Sequence, residues 1–121
     1  MKERERAIGS FEKGIEESKH DEERLRVLFH LAMEHKKNKN EEAAVKLWEE
    51  ASGSETPEIV CCSFVELAKY FEHKRKDYAQ ALQYSNEALS KIKEYSFHKH
   101  GISEASTLHR IHRLERKVDK E

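Results

Sequence analysis

Apolar positions in this chain recur at intervals of three and four residues in six successive stretches, each closed by a polar or glycine-bearing turn. That periodicity predicts helices throughout and no strand of useful length. The first helix, over residues 2–17, sets Ala7, Phe11, Gly14 and Ile15 on one face. A second is expected from Asp21 as N-cap, with Glu22 and Glu23 at its positive end, to about Lys37. Its stripe of Leu25, Leu28, Phe29 and Ala32 is widened by Val27, Leu31 and Met33, which predicts neighbours on more than one side.

Asn38 to Asn40 forms a polar turn with Asn40 as the cap of a third helix, which carries Ala44, Val45, Leu47, Trp48 and Ala51 and is stopped by Gly53. Thr56-Pro57 restarts the chain, because proline at the first helical position already has a helical φ. The fourth helix is apolar almost all round from Ile59 to Phe71 and is expected to be the most buried. After the turn Lys74-Arg75-Lys76, Asp77 with Gln80 three residues on resembles a capping box and opens the fifth helix. The sixth, after Gly101, sets Ala105, Leu108, Ile111, Leu114 and Val118 against Arg110, Arg113, Arg116 and Lys117. Such a one-sided terminal helix is expected to cover the end of a stack and present its charge to water.

The stretches repeat in kind. Ala7, Ala44 and Ala81 stand at equal intervals, and each is followed by a bulky or substituted position four later and a small residue seven later: Phe11 and Gly14, Trp48 and Ala51, Ser85 and Ala88. Small residues at i and i+7 share one helix face and admit a neighbouring helix closely. The expected organisation is a single all-α domain over 1–121, built as antiparallel helix-turn-helix repeats: a half-repeat 1–17, repeats 21–53 and 56–94, and a capping helix 101–119.

Composition limits what such an array can do. Charged residues make up 39% of the chain yet nearly cancel, to a formal net charge of -1, so a general nucleic-acid binder is not indicated. Met1 to Arg6 contains no apolar leader core, and no stretch approaches the length needed to cross a bilayer, so a cytoplasmic location without membrane association is expected. Cys61 and Cys62 are adjacent within an apolar run, a spacing that suits buried thiols rather than a disulfide framework or a zinc site.

Leu28-Leu31-Ala32 with Ala44-Trp48-Ala51, and Phe64, Leu67, Ala68 and Phe71 with Ala81, Tyr84 or Ser85, and Ala88, resemble the tetratricopeptide repeat, with Pro57 near the position where that family often ends a unit. The departures are a spacing of 37 residues where about 34 is usual, Ser85 for an aromatic residue and Gly14 for an alanine. The resemblance implies a right-handed solenoid whose first helices line a concave peptide-binding groove. Its groove positions would be Arg26, Phe29, Met33 and Lys36 from one unit, and Cys62, Val65, Lys69 and Glu72 from the next. The Lys and Asn clamp with which chaperone-binding members hold a peptide C-terminus is not reproduced.

A second resemblance rests on Val65-Glu-Leu-Ala-Lys-Tyr-Phe-Glu-His-Lys74 and Leu108-His-Arg-Ile-His-Arg-Leu-Glu-Arg116, which are similar to the C-terminal helical tail of bacterial ribonuclease H-like exonucleases. It would place a catalytic domain upstream and make Arg110, Arg113, Arg116 and Lys117 contacts to nucleic acid. The basic stretch 91–120 carries four histidines but only Tyr95 and Phe97 for base stacking, which favours a solvated face.

No catalytic constellation is expected. His98 with His100, and His109 with His112, have chelating spacing, but a metal site needs three or four convergent ligands, so neither metal nor cofactor is predicted. The phosphate-binding glycine loops and the hydrolase elbow are missing from the sequence. The predicted role is a non-catalytic interaction module of a larger bacterial protein, binding a protein or peptide, including a domain upstream in the same chain. The alternative is the accessory tail of a nucleic-acid-processing enzyme.

Overall fold

A computed structural model describes residues 14–120, with side chains from residue 21 onward. These residues form five helices: α1 (Gly14–Lys37), α2 (Glu41–Ala51), α3 (Pro57–His73), α4 (Tyr78–Tyr95) and α5 (Glu104–Asp119). The fold is all-α. Among the described residues the only β pairing is an isolated bridge between Lys99 and Ile102. Successive helices pack on each other, and α1 also touches α3. Arg24, midway along α1, reaches Glu50 at the end of α2, while the end of α1 turns directly into the start of α2, and Lys74 after α3 reaches Glu41 at the start of α2, so these neighbours run antiparallel.

The expected break before Asp21 does not occur, and α1 runs through it from Gly14. Between Ile15 and Glu23 there is neither glycine nor proline, and one aspartate inside a helix costs at most about 0.7 kcal/mol relative to alanine. The helix expected over 2–17, with Ala7 and Phe11, otherwise lies outside the described residues. Asp21 therefore caps nothing. Its neighbour Glu22 instead holds the loop entering α3, accepting from the Ser54 hydroxyl, from the Glu55 amide at 3.1 Å and from the Thr56 hydroxyl at 2.8 Å. Burial raises the Glu22 pKa, but these donors outweigh it and leave the carboxyl below its usual value.

The other boundaries follow local chemistry. Asn40 and Thr56 occupy N-cap positions without a side-chain capping bond, and Pro57 supplies the first turn of α3. Asp77 accepts from the Gln80 amide at 3.2 Å, as the capping pattern predicts. The last helix begins three residues after Gly101, where Ser103 and Ser106 form a reciprocal capping box. Left-handed backbone at Lys39, Lys76, Ser96, His100 and Gly101 turns the chain between helices.

The core lies where the repeated small residues allow helices to meet. Ala44, Ala51, Ala81 and Ala88 are fully buried, and so are Trp48 and Ser85 at the position between each pair. Tyr84, next to Ser85, lies half-buried over α3, stacked on Phe71 with ring centroids 5.6 Å apart. The most buried helix is α3, as its apolar circumference predicts. By contrast Val27 is 62% exposed and Leu31 44%, so the wide apolar stripe of α1 is not covered on both sides by described residues.

Candidate functional site

Three contiguous hollows run along one side of α3 and share Lys69. The largest, a cleft of about 280 Å³, has an apolar floor of Phe29, Met33, Cys62 and Ile102 and a rim of Glu58, Glu66, Lys69 and His100. Its walls come from α1, α3 and the connection between α4 and α5. Helical spacing explains the first two walls, because Phe29 and Met33 stand one turn apart on α1, and Cys62, Glu66 and Lys69 do so on α3. Beside it, Lys36, Trp48, Tyr70 and Lys74 line a second hollow with Glu66 and Lys69. On the other side, Val65, Ser106, Thr107 and Arg110 enclose a third with Lys69 and His100.

The expected groove residues divide accordingly. Phe29, Met33, Cys62 and Lys69 meet in the cleft, and Lys36 joins from the second hollow. Phe29 is only 9% exposed and belongs to the core, so it is as much the cleft's foundation as its surface. Val65 is buried and faces the third hollow. Arg26 is exposed on α1 but lines none of the three.

Glu72 is not a groove residue at all. It is 1% exposed, beneath α5, where Arg113 donates to both its oxygens at 2.9 Å, Arg110 at 2.9 Å and Lys117 at 3.2 Å. Burial alone would raise its pKa. The Arg113 and Lys117 hydrogen bonds and the nearby positive charges overcome that and hold the carboxyl at about 2. Consequently Arg110, Arg113 and Lys117 turn inward onto one carboxylate instead of forming a solvated face, and Lys117 also lies over the Tyr78 ring at 5.0 Å. Of the four expected nucleic-acid contacts, Arg116 alone is largely exposed, the other three being half-buried.

Sequence reasoning missed Glu72 as an anchor because its partners lie 38 to 45 residues away. The available signal was an acidic residue on the otherwise apolar face of α3, with three cations sharing one face of α5. His100, weighed from the sequence only as a metal-ligand candidate, has a contact that the sequence did not reveal. It sits in left-handed backbone and pairs with Glu58 at 2.6 Å, tying the α4–α5 connection to the first turn of α3; this hydrogen bond is the main reason the Glu58 carboxyl lies below its usual range.

The cysteines offer no nucleophile. Both are buried, and burial pushes the Cys61 thiol up to about 11 and the Cys62 thiol to about 12, so neither supplies thiolate near neutral pH. Among the described residues, no three His, Cys, Asp or Glu side chains converge where a metal ion could sit. Nor is any described helix long and apolar enough to cross a membrane.

The chain is similar to the uncharacterized protein YprB of Bacillus subtilis (strain 168), at 39% identity over 117 residues. The match takes in 96% of this chain and 27% of the relative, so the chain spans about a quarter of the length of that curated protein. No model of a known protein family matches the chain, and no solved structure matches it.

Proposed function

We propose that this chain is a non-catalytic interaction module, a tetratricopeptide-like array that receives a peptide or another part of a larger protein in the cleft between α1 and α3. The supporting observation is the meeting of Phe29, Met33, Cys62 and Lys69 in one cleft, the residues that the repeat pattern assigns to a groove. An apolar floor with a few polar groups at its rim is the usual build of a recognition cleft. In the longer Bacillus relative, the matched segment is joined to additional sequence, which suits a module serving a larger chain. The reading as a nucleic-acid-binding tail is less well supported, since Arg110, Arg113 and Lys117 are engaged by Glu72.

The test is a titration of the chain against the portion of the Bacillus relative outside the matched segment, using Met33→Glu as the cleft variant. Binding is expected, and Met33→Glu should weaken it about tenfold or more while the chain stays folded, as truncating or repelling a central contact does. Binding unaffected by Met33→Glu would remove the cleft from the proposal.

A further inference from the structure

The outer face of α1, turned away from the cleft, carries a pattern of its own. Arg24, Val27, Leu31 and Glu34 follow one another at intervals of three, four and three residues, the spacing of a coiled-coil seam, so they share one stripe along the helix. Leu25, Phe29, Ala32 and Met33 lie on the opposite side, against the rest of the fold. Val27 and Leu31 are the exposed large hydrophobic residues among those described, and they stand one turn apart. Scattered single apolar residues on a surface need no explanation, but adjacent ones framed by charge mark a contact face. One end of this stripe is positive and the other negative. Arg24 gives Nη1 to Glu50 at 3.2 Å, and Glu34 has Lys37 at 3.5 Å; both are exposed pairs of a kind that contributes little and leaves each group able to meet a second partner.

We infer that this face receives a second copy of the chain, α1 against α1, antiparallel about a two-fold axis at the level of Phe29. Reversing one helix inverts the order of its seam positions, so in that register each Val27 meets Leu31 of the second copy and each Arg24 meets its Glu34. On the flank of the seam, Glu23 comes near Lys37 of the second copy, and both side chains are exposed. A parallel pair in register would instead set Arg24 against Arg24 and Glu34 against Glu34, so charge selects the antiparallel arrangement. Two apolar layers fall short of a standard interface, and the dissociation constant is expected on the order of 100 μM. Unfolding measured at micromolar protein therefore reads the single copy.

Sedimentation velocity of the full chain from about 5 to 500 μM tests this, with dimer expected to become populated toward the upper end. Leu31→Glu should remain monomeric throughout. Arg24→Glu and Glu34→Arg should each weaken association about tenfold, and the two combined should recover most of it, because the exchanged charges face each other again. Met33→Glu, on the cleft side of α1, should leave the dimer unchanged, which separates this face from the cleft. A chain that is monomeric at every concentration, or a dimer indifferent to Leu31→Glu, would overturn the inference. A dimer that the charge-exchanged double variant fails to restore would overturn the antiparallel register on which it rests. If the chain is monomeric and Leu31→Glu weakens its binding to the remainder of the Bacillus relative, the face belongs to a neighbouring helix of a larger chain and the second copy is ruled out. Circular dichroism melts of each variant at low concentration distinguish these outcomes from loss of folding.

Discussion

The hairpins α1–α2 and α3–α4 carry the same sequence pattern and bury it differently. Leu31 and Leu67 precede the small residues Ala32 and Ala68 in equivalent units, yet Leu31 is 44% exposed and Leu67 fully buried. The alanines of the two second helices are buried alike, but the position between them is Trp48 in α2 and Ser85 in α4. What differs is the company each helix keeps. Helix α3 packs against both α2 and α4, whereas α1 has its main described neighbour in α2. A repeat pattern therefore encodes a capacity for burial, and the number of neighbours decides how much of it is used.

The largest effect should come from Trp48, which is 1% exposed and borders both α1 and α3 through the second hollow. Trp48→Ala is expected to cost about 3 to 5 kcal/mol in denaturant unfolding, as large-to-small core changes do. A loss under about 1 kcal/mol would mean that the hairpins are held together elsewhere.

Glu72→Gln should come close to this, at about 3 to 5 kcal/mol, because it leaves Arg110, Arg113 and Lys117 gathered around a neutral amide. The pH dependence has a fixed sign. With its folded pKa lowered to about 2 from 4.5, Glu72 contributes its stability above about pH 4.5 and loses it as pH falls toward 2. The gap between wild type and Glu72→Gln in urea unfolding should accordingly narrow from pH 7 toward pH 3. A constant gap would show that packing, not charge, accounts for the loss.

These two residues also mark how much could be read from the sequence. Trp48 was legible because helical period, flanking alanines and the turn at Gly53 are all local, and the same holds for α3 behind Pro57 and α4 behind Asp77. Glu72 was not, since a charge is by default a solvated residue and its burial depends on α5 folding back some forty residues later. The expected break at Asp21 failed for a related reason. A capping residue has meaning only where the chain actually turns, and Glu22's bonds to the Ser54–Thr56 loop are tertiary. Half of the cleft was legible in the same way: Phe29, Met33 and Lys69 lie on helical faces, while His100 and Ile102 arrive on a connection whose path no period predicts.

The leucine pair measures the contrast between hairpins directly. Leu67→Ala should cost about 2 to 5 kcal/mol, and Leu31→Ala less than about 1 kcal/mol, because only the first opens a cavity. Equal losses would show that the outer face of α1 is covered in solution.

Ser85 supplies the smallest and most discriminating effect, for its hydroxyl is fully buried and has no hydrogen-bond partner among the described residues. Burying an unpaired hydroxyl is unfavourable by about 1 to 3 kcal/mol, and alanine fills nearly the same volume without that penalty. Ser85→Ala should therefore raise stability by about 1 kcal/mol, read as a higher urea midpoint with an unchanged slope. Enlarging the site toward the ring found in the first hairpin should act in the opposite sense, since Ala81 and Ala88 leave little room and Tyr84 already lies over Phe71. If Ser85→Ala instead destabilises, the hydroxyl is paired in solution, and the second hairpin depends on a polar contact where the first depends on an indole.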